Sequence, residues 1–249
     1  DGKVWLFYVT RFGDTWSTSR IKAKISEDGA HTWSDSFMVT LEEGTMVRGH
    51  PIVLNNGHYL LPIYHETGND TEFVGSDTTS LFLNFDPEMN TWKETGRIRS
   101  KTGNLQPAVV QLSDRHLIAF CRRGGNYEPT KNGYTIRSES FDGGWTWKRG
   151  EDSEFKNPNS AVDLIRLTNG HLFLVYNDNM NDRTPLTAAV STDGGKTFPY
   201  QRNIVQGENS FAYPTAVQTK DGKIHVVYTS DERSVVNHAV FEEAFITGQ

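Results

Sequence analysis

A chain of 249 residues, 36% hydrophobic and 22% charged, fits one large soluble all-β domain. Its net charge of −6, with no block of basic residues, argues against a nucleic-acid partner. No apolar run reaches the roughly eighteen residues that a membrane span needs, and the single cysteine, Cys121, excludes an internal disulfide.

In chain order, DGKVWLFYV at 1–9 reads as a turn followed by an apolar strand. The start at Asp1, without a methionine or a signal segment, reads as a processed chain or a fragment. IKAKIS then leads into SEDGAHTW at 26–33, a turn composition ending on a large aromatic. Next comes PIVLNNGHYLLPIY from Pro51, an apolar strand, a turn and a second apolar strand, which is a β-hairpin signature. The hairpin recurs as PAVVQLSDRHLIAF from Pro107, SAVDLIRLTNGHLFLVY from Ser160 and PTAVQTKDGKIHVVY from Pro214, with starts 56, 53 and 54 residues apart. Cys121 falls in one of these apolar strands and reads as a buried thiol.

After each hairpin a third strand leads into a turn and a short fourth strand. TIRSES runs into SFDGGWTW at 140–147, and LTAAVS into STDGGKTF at 191–198; LFLNFDPEMNTW is a degraded version with one extra residue. Four antiparallel strands in about fifty residues make a β-propeller blade. In the recurring turn Ser140 and Asp142 can accept backbone N–H bonds, Gly143 and Gly144 permit positive φ, and Trp147 can pack into the seam between blades. Too few oxygen ligands are grouped there for a metal.

The expected fold is therefore an all-β propeller of four-stranded antiparallel blades, forming one domain over residues 1–249. Five blades are counted, at about 1–45, 46–100, 101–152, 153–207 and 208–249. The first lacks its first strand and the last lacks its fourth. This suggests the greater part of a six-bladed ring, the alternative being a self-closing ring of five.

Strand one of each blade lines the axis, so equivalent positions form a ring at one face. His50, Gln106, Asn159 and Tyr213 occupy one such position, all polar or aromatic before an apolar strand, which suggests a ligand-facing mouth. The returning strand two ends on Glu66, Arg122, Asn177 and Thr229. Arg122 and Arg183 suit a carboxylate, which a guanidinium binds bidentately. They could equally pair with local acids such as Asp163 or Asp178.

The S-x-D-x-G-x-T-W turns resemble the Asp-boxes of the sialidase (neuraminidase) superfamily, and the resemblance covers essentially the whole chain. NPNSAVD, NDRTPL, AYP and HVVYT are similar to the bacterial and plant Asp-box, or BNR-repeat, group. In QPAVVQLSDRHLIAFCR, Gln106 and Arg122 are sixteen residues apart, the spacing of the family's glutamate and arginine. Tyr213 and Thr229 repeat that spacing where the family has its tyrosine nucleophile and a glutamate.

The resemblance implies a retaining exo-glycosidase acting on a terminal acidic sugar, sialic acid or a relative, without a cofactor or a metal. Three arginines hold the sugar carboxylate, an aspartate is the acid/base, and a tyrosine paired with a glutamate attacks. A neutral phenol avoids the repulsion that a carboxylate nucleophile would meet at a carbon already bearing a carboxylate. Tyr213 and Gln106 occupy the catalytic positions, and Arg122 and Arg183 carry over as binding residues. Gln106 replaces the glutamate and Thr229 the second one; the first arginine and the acid belong to an N-terminal blade read as absent.

His50, His65, Glu66 and Asp163 are candidate replacement bases, and His50, Glu66, Asn159 and Asp163 complete the expected binding set. Secretion or a periplasmic location is the family-level expectation. Two other functions remain: a glycan-binding propeller without catalysis, and a lyase acting on uronates through His50, Tyr213 and Arg122. Asn69, Asp70 and Thr71 form a glycosylation sequon.

Overall fold

The computed structural model describes residues 2–68, 73–126, 128 and 130–248; the sequon at 69–71 lies outside them. Five antiparallel sheets follow one another along the chain as the blades of a propeller. Blade one holds β1 (Val4–Arg11), β2 (Ser19–Ser26) and β3 (Phe37–Met38). Blade two holds β4 (Thr45–Val47), β5 (Ile52–Val53), β6 (Tyr59–His65), β7 (Thr79–Asp86) and β8 (Thr91–Glu94). Blade three holds β9 (Asn104–Gln111), β10 (Leu117–Arg123), β11 (Tyr134–Ser140) and β12 (Glu151–Lys156). Blade four holds β13 (Asp163–Arg166), β14 (Leu172–Asn177), β15 (Leu186–Ser191) and β16 (Tyr200–Val205). Blade five holds β17 (Ala212–Gln218), β18 (Ile224–Ser230) and β19 (Val235–Phe241), followed by the one-turn helix α1 (Ala244–Thr247).

The uniform four-stranded blade is thus corrected. Blades three and four have four strands, the end blades three, and blade two five. Blade two differs because its inner strand is broken: β4 and β5 both pair with β6, at its two ends. Strand β12 also runs past residue 152, where the third blade was expected to end.

Hydrophobic clusters lie in the seams between sheets, because each sheet buries its faces against its neighbours. Ile21 with Leu61, Ile63, Leu81 and Leu83 joins blades one and two. Phe82, Val109 and Leu117 join two and three; Phe120, Leu164 and Leu174 join three and four; Phe173, Val190, Ile224 and Val226 join four and five. Among the described residues no cluster joins blade five to blade one. The consequence is visible in the strands. β10 and β14 are buried along their whole length, whereas β18 alternates, with Val227 and His225 on an uncovered face. Val217, Val236 and Val240 share that open face; on the other end blade Val4 and Leu6 are exposed.

The recurring turn joins strands three and four, as expected. Ser140 Oγ accepts the Gly144 N–H at 2.9 Å, and Asp142 accepts the N–H groups of Trp145 and Thr146 at 3.1 and 2.9 Å and the Thr146 hydroxyl at 2.5 Å. Trp147 stacks on Phe82 of blade two, with centroids 4.6 Å apart. The glycines are needed for two reasons at Gly195: its φ is +80°, and a Cβ there would come within 2.9 Å of Ile118 in the seam. The aspartates are spent on the turn, and hydrogen bonds hold the Asp28 carboxyl down at about 2. Asp142→Ala should cost about 1–2 kcal/mol, read as a lower urea midpoint with an unchanged slope. An unchanged midpoint would mean that the glycines alone define the turn.

Candidate active site

Three equivalent residues at the start of the inner strands share an uncommon backbone. Gln106, Asn159 and Tyr213 have φ of 51°, 58° and 54°, the left-handed region that side-chain-bearing residues seldom adopt. In blade three, Gln106 and Pro107 stand opposite Cys121 alone; in blade five, Tyr213 and Pro214 stand opposite Tyr228 alone. Each is a β-bulge, a device that re-aims a side chain. Such strain collects at functional sites.

Around these bulges the arginines gather. Arg122, buried at the end of β10, donates from Nε to Asn159 Oδ1 at 2.7 Å and from Nη1 to Gln106 Oε1 at 3.3 Å. Arg183 donates to the Asn159 carbonyl at 3.1 Å, and its guanidinium carbon lies 5.5 Å from the Tyr213 ring centroid. Asn159 therefore orients both arginines. Burial alone would raise the Tyr213 phenol, but Arg122, Arg183 and Arg233 outweigh it and hold it below its ordinary value.

Glu66 lies within electrostatic reach of Arg122. Burial pushes its carboxyl up to about 7, with Arg122 pulling the other way. The folded protein thus binds this proton more tightly than the unfolded chain, whose carboxyl titrates near 4.5. The stability it gives is complete below that value and is lost as the pH rises through 7. Glu66→Gln should be more stable than the natural protein above pH 7, by about 1–2 kcal/mol once solvent screening is allowed for. Below pH 4.5 the two should be equal. Denaturant titrations at both pH values read this, and a natural protein more stable than the variant at the higher pH would place Glu66 in a tight pair with Arg122.

Other expected residues lie elsewhere. In blade two, residues 48–51 stand opposite Leu61 and Pro62, so one residue more is extruded than in blades three and five. His50 accordingly lines a cavity of about 620 Å³ between the inner strands, with Gln111, Leu164, Arg166 and Val217. Its Nδ1 is 3.9 Å from Asp163 Oδ2. Asp163 is buried, accepting the Ala216 N–H at 2.7 Å and the Thr215 hydroxyl at 3.2 Å. His65 turns to Glu42 at 3.3 Å, Thr229 donates to the Ala212 carbonyl at 3.1 Å, and Asp178 pairs with Lys156 at 3.2 Å. Buried Asn177 donates to the Phe211 carbonyl at 3.0 Å.

Two arginines were not anticipated. Arg48 is partly buried in the break between β4 and β5 and donates to the carbonyls of Val162, at 3.0 Å, and Pro214, tying blade two to blades four and five. Burial lowers its pKa, while Asp163 and the rings of Tyr64 and Tyr213 act in the opposite direction. Arg233 lies 5.5 Å from the Tyr213 centroid. Its signal in the sequence would have been the single arginine in the DERS run directly after strand two of the last blade.

Five antiparallel sheets in series, with Asp-box turns between the third and fourth strands of blades three and four, make a β-propeller of the sialidase fold. The chain belongs to the BNR repeat-like domain family, whose sequence profile matches residues 1–226. By sequence alone it matches no curated protein. Among solved structures it is similar to the Hadza microbial sialidase Hz136, with a TM-score of 0.78, 16% identity, and coverage of 98% of this chain and 51% of that one. The NanB sialidase of Streptococcus pneumoniae gives 0.73 and 16%, covering 92% of this chain and 36% of that one. The intramolecular trans-sialidase of Ruminococcus gnavus, solved with oseltamivir carboxylate, gives 0.69 and 18%, covering 93% and 52%. At these identities the likeness is one of fold, and the chain spans about half or less of each of these proteins. No helix among the described residues is long and apolar enough to cross a membrane.

Proposed function

We propose that the protein is a sialidase-like exo-glycosidase that hydrolyses a terminal acidic sugar, sialic acid or a relative, from a glycan. One observation carries the reading: Tyr213 is turned out of a strained bulge into a mouth where Arg122 and Arg183 flank it. The arginines would take the sugar carboxylate in charge-assisted hydrogen bonds. The tyrosine oxygen would attack the anomeric carbon as the bond to the aglycone breaks, and water would then cleave the tyrosyl–sugar bond to release the sugar. The family match and the structural likeness to sialidases support the same class.

A sixth blade belongs to this proposal. Four buried seams join five sheets, and the open faces bearing Val217 and Val236 at one end and Val4 and Leu6 at the other would accept another sheet. That blade would carry the acid and a further arginine.

A specific observation favours a second reading, a glycan-binding propeller without turnover. Gln106 stands where a proton acceptor is wanted and donates no basic group, its oxygen being taken by Arg122. The lyase reading loses support, since His50 lines the axial cavity. The deciding experiment uses the full-length protein and an aryl α-sialoside whose leaving group needs little acid assistance. Release of the aryl alcohol supports the hydrolase; sialic acid binding without release supports the binder; an unsaturated, ultraviolet-absorbing product from a uronate oligosaccharide would overturn both.

A further inference from the structure

Arg233 belongs to blade five. It sits on the turn Asp231–Arg233, directly after β18, where three successive residues take φ of 48°, 54° and 74°. None of the three is glycine, so the local preference of the chain opposes this turn. Side chains hold it in place. Ser234 donates to the Asp231 carbonyl from its N–H at 3.0 Å and from its hydroxyl at 2.6 Å, Ser230 Oγ donates to Asp231 Oδ2 at 3.0 Å, and Asn237 Nδ2 donates to Ser230 Oγ at 2.9 Å. The turn delivers the Arg233 guanidinium to 5.5 Å from the Tyr213 centroid, the same distance as Arg183. Among the described residues no carboxylate pairs with Arg233 within 4.0 Å, so the aromatic ring is its neighbour instead.

We propose that Arg233 is a positioning residue: with Arg183 it grips the Tyr213 ring, and with Arg122 these guanidiniums supply the positive charge that stabilises the Tyr213 phenolate where Gln106 offers no base. Tyr213 is identified as the reacting residue by the proposed function above, and the inference rests on that reading. Gln106 can hydrogen-bond but cannot take a proton at neutral pH, so the tyrosine must lose its proton by another route. A cluster of fixed cations lets the phenol give that proton to solvent water, because an opposite charge nearby favours the ionised form.

The groups facing Tyr213 are Arg122 from β10, Arg183 from the connection before β15, Arg233 from the turn after β18, and Arg48 and Tyr64 from blade two. Glu66 acts on Arg122 and Tyr64 and opposes ionisation when charged, which burial discourages. The arginines outweigh these opposing groups, so the Tyr213 phenol lies below its ordinary value.

The test needs no substrate. Difference absorbance of the phenolate band between the full-length protein and Tyr213→Phe isolates this tyrosine from the other eight, and a pH titration gives its midpoint. Arg233→Gln should raise that midpoint by about one pH unit, and Arg233→Lys, which keeps the charge, should recover part of the shift. An Arg233→Gln midpoint equal to that of the natural protein overturns the proposal, as does an Arg233→Lys shift as large as that of Arg233→Gln. Should the variants not fold, the natural protein still decides: added salt should raise its Tyr213 midpoint by screening the cations, and a midpoint indifferent to salt overturns the proposal. A shift in the expected sense together with no sialoside hydrolysis would leave Arg233 in this role and remove the glycosidase reading.

Discussion

Tyr213→Phe should lower kcat on an aryl α-sialoside by at least about a thousandfold, while the affinity for free sialic acid stays within about threefold. The substitution removes one oxygen and preserves the ring. Arg183 and Arg233 keep their aromatic neighbour, and Arg122 keeps its bonds to Gln106 and Asn159. The arginines proposed to bind the carboxylate keep these contacts, and what is lost is the hydroxyl, which Arg183 also bonds. Binding measured by calorimetry and turnover measured on the same samples separate the two roles. Hydrolysis within about tenfold of the natural protein would remove Tyr213 as nucleophile and return attention to Glu66, whose carboxyl titrates near neutrality.

The largest effect on stability is expected at Asp163. This carboxylate is 1% exposed and faces Arg48, whose own hydrogen-bond partners, the Val162 and Pro214 carbonyls, are neutral. Asp163→Ala would leave the partly buried Arg48 guanidinium without the negative charge in its electrostatic reach and the Ala216 N–H without an acceptor. The cost should be about 2–4 kcal/mol, the scale for losing a charged hydrogen-bond acceptor inside the fold, a large part of the 5–15 kcal/mol or so that holds a typical domain together. Replacing both residues, Asp163→Ala with Arg48→Met, should recover most of that loss, because no charge is then buried. Urea midpoints of the two single variants and the double variant close the cycle. A loss below about 1 kcal/mol in Asp163→Ala would mean that water, and not Asp163, compensates Arg48.

The blades were legible in the sequence because each hairpin repeats the same local demands: a glycine or Asp-rich turn between apolar strands. The same repetition brought Gln106, Asn159 and Tyr213 to one face, since equivalent positions in stacked units lie at equivalent heights. His50 precedes Pro51 as Gln106 precedes Pro107 but lies within a wider interruption of the inner strand, which the repeat did not reveal. Strand fragments as short as β5, Ile52–Val53, carry too little pattern to fix a register. Arg48 was hidden by that same interruption. Arg233 was hidden because a left-handed run of Asp, Glu and Arg contradicts their local preferences, and only the surrounding Ser and Asn side chains make it tenable.

The seams have a mechanical meaning as well. A sheet gripped on both faces can move only with its neighbours, whereas one gripped on a single face behaves like the last card of a fanned hand. Among the described residues blade five is gripped on one face, so Tyr213 and Arg233 ride on such a card until a further sheet covers it, while Arg122 belongs to blade three, held on both sides. An anion bridging Arg122 and Tyr213 would therefore clasp a loose leaf to a fixed one, so occupancy of the mouth and stiffness of the rim become one equilibrium. Amide exchange in β17 to β19 would slow on binding far more than in β9 to β11.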